Sequence, residues 1–486
     1  MNKCFFPALV ILTALVSCQT PPTQSQDMKP VSLDVRSFGA TGDGKALDSV
    51  AINRAIDAAS DNGGGTVHLP AGQYLCASIR LKSNIGLYLD HGATIIAADG
   101  QVYDPPEPNA AHAYQDFGHS HFHNSLIWGE NLENVSITGP GLIWGRGLSR
   151  GETDKSMAYA HITMGKFGFP STQDTLHDGV GNKAISLKNC RNVLIRDISI
   201  LHGGHFAILA TGVDNFIMDS VKIDTNRDGV DFDCCHHVHM SNCSVNSPHD
   251  DGICLKSSYA LGKARATEDV TITNCQVSGY DEGSLLDGTR KRNHENTCGR
   301  IKFGTESNGG FKNITISNCI FDWCNGLALE TVDGGLLEDV TITNITMRDI
   351  FNSPIFLRLG SRLRGPDGAP VGALRRVTIS NVVCYRSSTK TPCIISGIPG
   401  HDIEDIRLHD IRIWSKGGGT AEMAALKPAE HERGYPEPSM FGDIPASGLY
   451  ARHVNGLQLR DVEFHLLAPD ARPEVVMDDV QGFEKK

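Results

Sequence analysis

The sequence predicts an all-β fold, a single-stranded right-handed parallel β-helix with a short N-terminal capping helix, and two features of the chain predict it. The first is repetition. A run of alternating β-branched residues, then Asn or Asp, then a second short alternating run, recurs as Val193-Leu-Ile-Arg-Asp-Ile-Ser-Ile200, Val238-His-Met-Ser-Asn-Cys-Ser-Val245 and Val270-Thr-Ile-Thr-Asn-Cys-Gln-Val277. It continues through Ile314–Phe321, Val340–Met347, Ile406–Ile413 and Leu457–Phe464. The second feature is the near absence of helix-forming stretches.

In chain order, residues 1–18 form a targeting segment. Lys3 is its positive end, Phe5 to Val16 is apolar but too short to span a bilayer comfortably, and Leu15-Val16-Ser17-Cys18 has the form of a bacterial lipobox. Cys18 is the expected lipidation site, which implies a protein anchored to the membrane of the bacterial cell envelope, outer membrane or periplasm. Residues 19–30 are rich in Pro, Gln, Ser and Thr and are expected to be a flexible tether. Residues 31–482 are expected to be one β-helix domain. Within it, Ser49 to Ser60 carries a helical stripe of Val50, Ile52, Ala55, Ile56 and Ala59, suited to closing the open end of a coil whose strand edges would otherwise be exposed.

The strands follow from period two, which sends alternate side chains to a core and to solvent. Asn or Asp suits the corners because its side chain bonds local backbone and tolerates left-handed geometry. No single repeat buries its apolar face, so the repeats must stack. Cys190, Cys243, Cys275 and Cys319 follow Asn in the repeat and are expected to stack as buried thiols. Three segments interrupt the coil, at 149–182, 279–300 and 416–447. Long loops on a rigid solenoid line clefts and carry function.

The net charge of −12 and pI near 5.9 argue against non-specific nucleic-acid binding, and no nucleic-acid partner is expected. No Cys or His spacing of zinc type is present, and neither metal nor cofactor is expected. The loop histidines His112, His119, His121 and His123 suit substrate contact or surface better than a metal. The informative acids are Asp228, Asp250 and Asp251. Asp228 lies about 22 residues before the pair, which is about one turn of such a coil. Three carboxyls on adjacent turns would share one face, and crowding would raise the proton affinity of at least one. That separates an acid from a base, as glycosidic hydrolysis requires. The inverting version of that reaction places its two carboxyls about 6.5–9.5 Å apart. Asp231 and Asp233 face outward beside the cluster as solvated or supporting groups. Lys256 would hold substrate or tune the acid, Glu306 and Glu330 would contact sugar hydroxyls, and the basic group Arg290, Lys291, Arg292, Arg300 and Lys302 would grip a carboxylate from a cleft-side loop.

The residues resemble a known family. Asp34-Val-Arg-Ser-Phe-Gly-Ala-Thr-Gly-Asp-Gly44 and Gly63-Gly-Gly-Thr-Val-His-Leu-Pro-Ala-Gly72 resemble the N-terminal signature of pectin-lyase-like β-helix proteins. Asn226-Arg227-Asp228-Gly229, His249-Asp250-Asp251, Cys254-Leu255-Lys256-Ser257 and the stretch from Phe303 through Glu306 to Gly310 resemble the motifs of glycoside hydrolase family 28, the polygalacturonases. The resemblance implies Asp250 as the acid, Asp228 and Asp251 as the water-positioning bases, and Asn226 among the substrate-binding residues. Two motifs depart. The family's His-Gly should fall near Cys298-Gly299, where no histidine stands. Its Arg-Ile-Lys, which holds a substrate carboxylate, should fall near Ala328-Leu329-Glu330.

These features predict an inverting, exo-acting glycosidase of pectic polysaccharide or oligosaccharide, with a neutral sugar such as rhamnose on the leaving-group side. A polysaccharide lyase and a non-catalytic carbohydrate-binding β-helix are the alternatives on the same scaffold.

Overall fold

The computed structural model describes residue 1 and residues 31–114, 119–150, 179–295 and 297–486. Cys18, the tether 19–30 and most of the break at 149–182 lie outside the described residues.

The strands form a parallel β-helix. A representative turn runs Phe206–Thr211, Asp214–Asp219 and Lys222–Asp224, and stacks in parallel on Asp228–Asp233, His236–Ser241 and Ser244–Asn246. The register keeps like above like: Ile208, Val230 and Ile253 in one column, Phe216, Val238 and Val270 in the next, Ile223, Val245 and Val277 in the third. All are buried in one continuous core, each contributing roughly 1.5–3 kcal/mol if fully removed from water. From residue 311 onward the second and third strands of each turn fuse into single bent strands, Phe311–Asp322, Leu336–Arg348, Ala373–Ser387 and Ile403–Ser415.

The corners use Asn as expected. Asn242, Asn274, Asn318, Asn344 and Asn381 all have φ between 52° and 57°; the last four donate from the side-chain amide to the Asn one turn below, at 3.0–3.3 Å, and Asn242 donates to Asp219 Oδ1 at 2.8 Å. The thiol column holds for Cys243, Cys275 and Cys319, which are buried and reduced. Cys190 departs from it, because it stands at the preceding corner. There its thiol donates to Gly129 O, as Cys235 donates to Ala210 O two turns on.

The capping helix is Ser49–Asp61. It lies over the first strands, and Asn53 bonds Ser78 O and Arg80 N at the edge. Its buried stripe is Ala51, Ile52, Ala55, Ile56 and Ala59. Val50 is 60% exposed, so Ala51 takes the place expected for it. Among the described residues no helix is long and apolar enough to cross a membrane.

Candidate active site

The outer face of the first strand of each turn forms the site floor. Its central column reads Leu209, Asp231, Cys254, Lys302, Ala328, Phe356, Ile394 and Tyr450. Both ends of this floor are roofed. Phe122 packs on Phe206 and Leu209 at the N-terminal end. At the C-terminal end a strap of residues 428–446 packs Phe441, Ile444 and Ala446 on Ala328, Phe356, Ile394 and Tyr450. Backbone carbonyls brought down onto an apolar floor need donors. Buried Arg358 supplies them to Glu430 O and His431 O (2.9 and 3.1 Å), and Arg452 supplies Pro428 O and Ala429 O (2.7 and 3.0 Å).

Between the roofs lie the three acids. Asp228 opens the strand Asp228–Asp233, and Asp250 and Asp251 precede Ile253–Ser257 in the next turn. Gly229 lets the turns close: its N–H donates to Asp251 O at 3.0 Å, and a Cβ there would fall 2.3 Å from Gly252 O. Carboxylate oxygens of Asp228, Asp250 and Asp251 lie within 4.8 Å of one another. That is tighter than the spacing expected from a two-carboxylate inverting site, because three acids converge here rather than two. Asp228 and Asp251 are buried; the Asp250 side chain is 23% exposed and is the member that meets solvent.

Each acid has a different electrostatic setting. Arg227 Nη2 lies 2.9 Å from Asp250 Oδ2. Burial would raise the Asp251 carboxyl, but Lys302 and Arg300 outweigh it and hold it well below the usual carboxylate range. Their contacts are 3.2 Å from Lys302 Nζ to Oδ2 and 2.7 Å from Arg300 Nε to Oδ1. Asp228 goes the other way. Burial, then the charges of Asp250 and Asp231, push it well above that range, and Lys256 at 3.9 Å does not offset them. Asp231 is pushed up to about 7 by burial, against Lys256 at 3.6 Å and His119 at 3.6 Å.

The other predicted residues distribute as follows. Asn226 is half-buried and bonds His249 Nδ1 at 3.0 Å. Lys256 is buried among Asp228, Asp231 and Glu306, the last at 3.1 Å. Burial works to raise Glu306, yet Lys256 and Arg364 hold it well below the usual range. Glu330 lies fully buried under Lys302 (3.8 Å) with neither carboxyl oxygen hydrogen-bonded, and burial pushes it up to about 8 against Lys302 and Arg300.

Three expectations need correction. Asp231 and Asp233 point outward from the core but are not solvated, because covering segments bury them; Asp233 binds Ser258 N and Oγ, both at 2.7 Å, and serves the corner. The basic group divides. Arg290, Lys291 and Arg292 are exposed, Lys291 pairing with Asp281 and Arg292 lying over Trp323, while Arg300 and Lys302 are buried in the site on and beside the strand Ile301–Ser307. The histidines also divide. His123 stacks on Trp128 and His121 is buried against Glu107 O, but His119 reaches the acids.

Two sets of side chains here have cation-binding spacing: His119 with Asp228 and Asp231, and Asp228 with Asp250 and Asp251. In both, Lys256, Arg227, Arg300 and Lys302 already supply positive charge to the carboxyls, so a divalent cation fits poorly. Sequence reading did not assign Arg227 or Glu437 to the site, and left His119 between substrate contact and surface. Only Arg227 left a local signal, standing at the second position of the Asn226–Gly229 motif.

A parallel coil bearing one cluster of unequal carboxyls between roofed ends defines a β-helix protein built for acid–base chemistry. The chain belongs to glycosyl hydrolases family 28, whose family model matches residues 108–432. A second model, rhamnogalacturonase A/epimerase, pectate lyase-like, matches residues 32–166. A probable polygalacturonase of Vitis vinifera is 23% identical over 334 residues, 65% of this chain and 61% of the relative. An exo-poly-alpha-D-galacturonosidase of Dickeya chrysanthemi is 23% identical over 416 residues, 77% of this chain and 65% of the relative. The match thus spans under two thirds of the length of either curated relative. The fold matches the crystal structure of a hyperthermoactive exopolygalacturonase from Thermotoga maritima, with TM-score 0.61 and 20% identity over 79% of this chain and 87% of that one.

Proposed function

We propose that the protein is an inverting, exo-acting glycosidase of pectic oligosaccharides, a galacturonosidase whose leaving-group sugar is uncharged, as in rhamnogalacturonan-type chains. The observation that carries this reading is three converging carboxyls in unequal settings: Asp228, Asp250 and Asp251 have oxygens within 4.8 Å of one another, Asp251 contacts Arg300 at 2.7 Å and Lys302 at 3.2 Å, and buried Asp228 has Lys256 at 3.9 Å. The names of the relatives support the galacturonide.

In this reading Asp228 holds a proton close to Asp250, their carboxylate oxygens within 4.8 Å. Asp250, the exposed member, passes the proton to the glycosidic oxygen as the C1–O bond breaks. Asp251 takes a proton from the water that attacks C1 from the opposite face. This departs from the base role that the resemblance implies for Asp228, because a carboxyl buried beside two acids does not release its proton readily. Asn226 faces the sugar beside His249. Lys256, Arg300, Glu306 and Glu330 set the charge of the acids from beneath. The roofs favour cleavage at an end, since a groove closed on both sides admits a terminus rather than a mid-chain segment. Lipidation at Cys18 would hold this pocket at the cell envelope.

The experiment is incubation with defined galacturonate–rhamnose and galacturonate–galacturonate oligomers, read by NMR. Free galacturonate released first, with inverted anomeric configuration, is the expected result. An unsaturated product would mean a lyase, and absence of any product a binding protein.

A further inference from the structure

Arg300 presents two edges. Nε donates to Asp251 at 2.7 Å, while Nη1 and Nη2 both reach the Glu437 carboxylate, Nη1 to Oε2 at 3.2 Å. Two parallel N–H groups on two carboxylate oxygens is the arrangement by which Arg recognises a carboxylate ligand. The Arg300 side chain is 1% exposed and that of Glu437 28%, so Glu437 is the member of the pair that meets solvent. The strap segment Tyr435-Pro436-Glu437-Pro438 carries it, and its two prolines restrict the backbone on both sides.

We propose that Glu437 is a specificity-determining residue that occupies, from within the chain, the place of a sugar carboxylate on Arg300. This rests on the galacturonosidase reading and deepens it. Arg300-Ile301-Lys302 itself reads Arg-Ile-Lys, so the carboxylate-holding motif expected near Ala328-Leu329-Glu330 stands one turn earlier, where the register sets Lys302 directly beside Ala328. The cations are therefore present but already taken, Lys302 by Asp251 and Glu330, Arg300 by Asp251 and Glu437. A uronate arriving here meets the carboxylates of Asp251 and Glu437 on the cations that would otherwise receive it. A neutral sugar meets no such repulsion, and Tyr435, 47% exposed with its ring 5.5 Å from Lys302 Nζ, offers it an apolar face.

The test compares the wild type with Glu437→Ala and Glu437→Gln on matched galacturonate–rhamnose and galacturonate–galacturonate oligomers. The ratio of kcat/KM values is expected to favour rhamnose in the wild type, and to move toward galacturonate by about tenfold or more in Glu437→Ala. Added formate should fill the vacated fork, raise the Tm of Glu437→Ala alone and suppress its new activity. An unchanged ratio in folded variants overturns the proposal, as does a wild type that already prefers the uronate. If the wild type cleaves neither oligomer, the functional reading fails instead. The formate shift then still decides whether Glu437 fills a carboxylate site, its absence overturning that.

Discussion

Lys256 Nζ lies 3.1 Å from Glu306 Oε2, and both side chains are almost wholly removed from water. Burying a charge is tolerable only with a close partner, and here one ammonium serves Glu306, Asp231 and Asp228 together. Lys256→Met should therefore destabilise the protein by roughly 3–5 kcal/mol in urea unfolding. The loss should be larger at pH 8 than at pH 5, because Asp231 can protonate at the lower pH and no longer needs the cation. Equal losses at both pH values would show that Asp231 does not depend on Lys256.

Asp250→Asn and Asp251→Asn should each lower kcat by about 10²–10⁴-fold with circular dichroism unchanged. A smaller effect at either position would remove that residue from the chemistry.

The pH profile should be asymmetric. Asp251 is held well below the usual carboxylate range, so the acid limb lies low; the alkaline limb follows loss of the proton from Asp228, which burial and its acidic neighbours hold well above that range. Arg227 Nη2 lies 2.9 Å from Asp250 Oδ2, in the same cluster. Arg227→Met removes a positive charge from the cluster and should move the alkaline limb of kcat/KM to higher pH; a limb that stays in place or moves down would contradict this assignment of the limb.

Glu330 is held protonated to about 8, above its ordinary range. The native state then keeps a proton that the unfolded chain releases near pH 4.5, so stability falls as pH rises from about 4.5 to about 8. Glu330→Gln should flatten this dependence and leave the variant a few degrees higher in Tm than the wild type at pH 8, roughly. Parallel Tm curves would count against it.

Cys18→Ser should shift the protein from the membrane fraction to the soluble one after cell fractionation. Unchanged partitioning would rule out a lipid anchor at that residue.

The fold was legible because its determinants are local. Asn242, Asn274 and Asn318 each sit between two short alternating runs, and the same few residues that set the corner also set the stacking. Asp228, Asp250 and Asp251 were legible for a related reason, since one turn of coil converts sequence spacing into neighbourhood. Covering segments broke that logic. The alternation at Asp231 correctly points it away from the core, but a roof then turns an outward residue into a buried one. Glu437 lies 137 residues from Arg300, and His119 reaches Asp231 from a loop more than a hundred residues upstream. No periodicity carries such contacts. Val50 and Cys190 failed at finer grain: a helix stripe shifted by one residue and a repeat phrase placed at a neighbouring corner.

The roofs set down by Phe122 and by Phe441 have a consequence for how the protein meets a long polymer. On the proposed exo-action a chain engages it only through a terminus, so turnover would depend on how many termini a sample contains and not on its mass. Material cut a few times beforehand by an enzyme of internal action would be consumed far faster than the intact polymer, whereas the viscosity of an intact solution would hardly change while sugar accumulates.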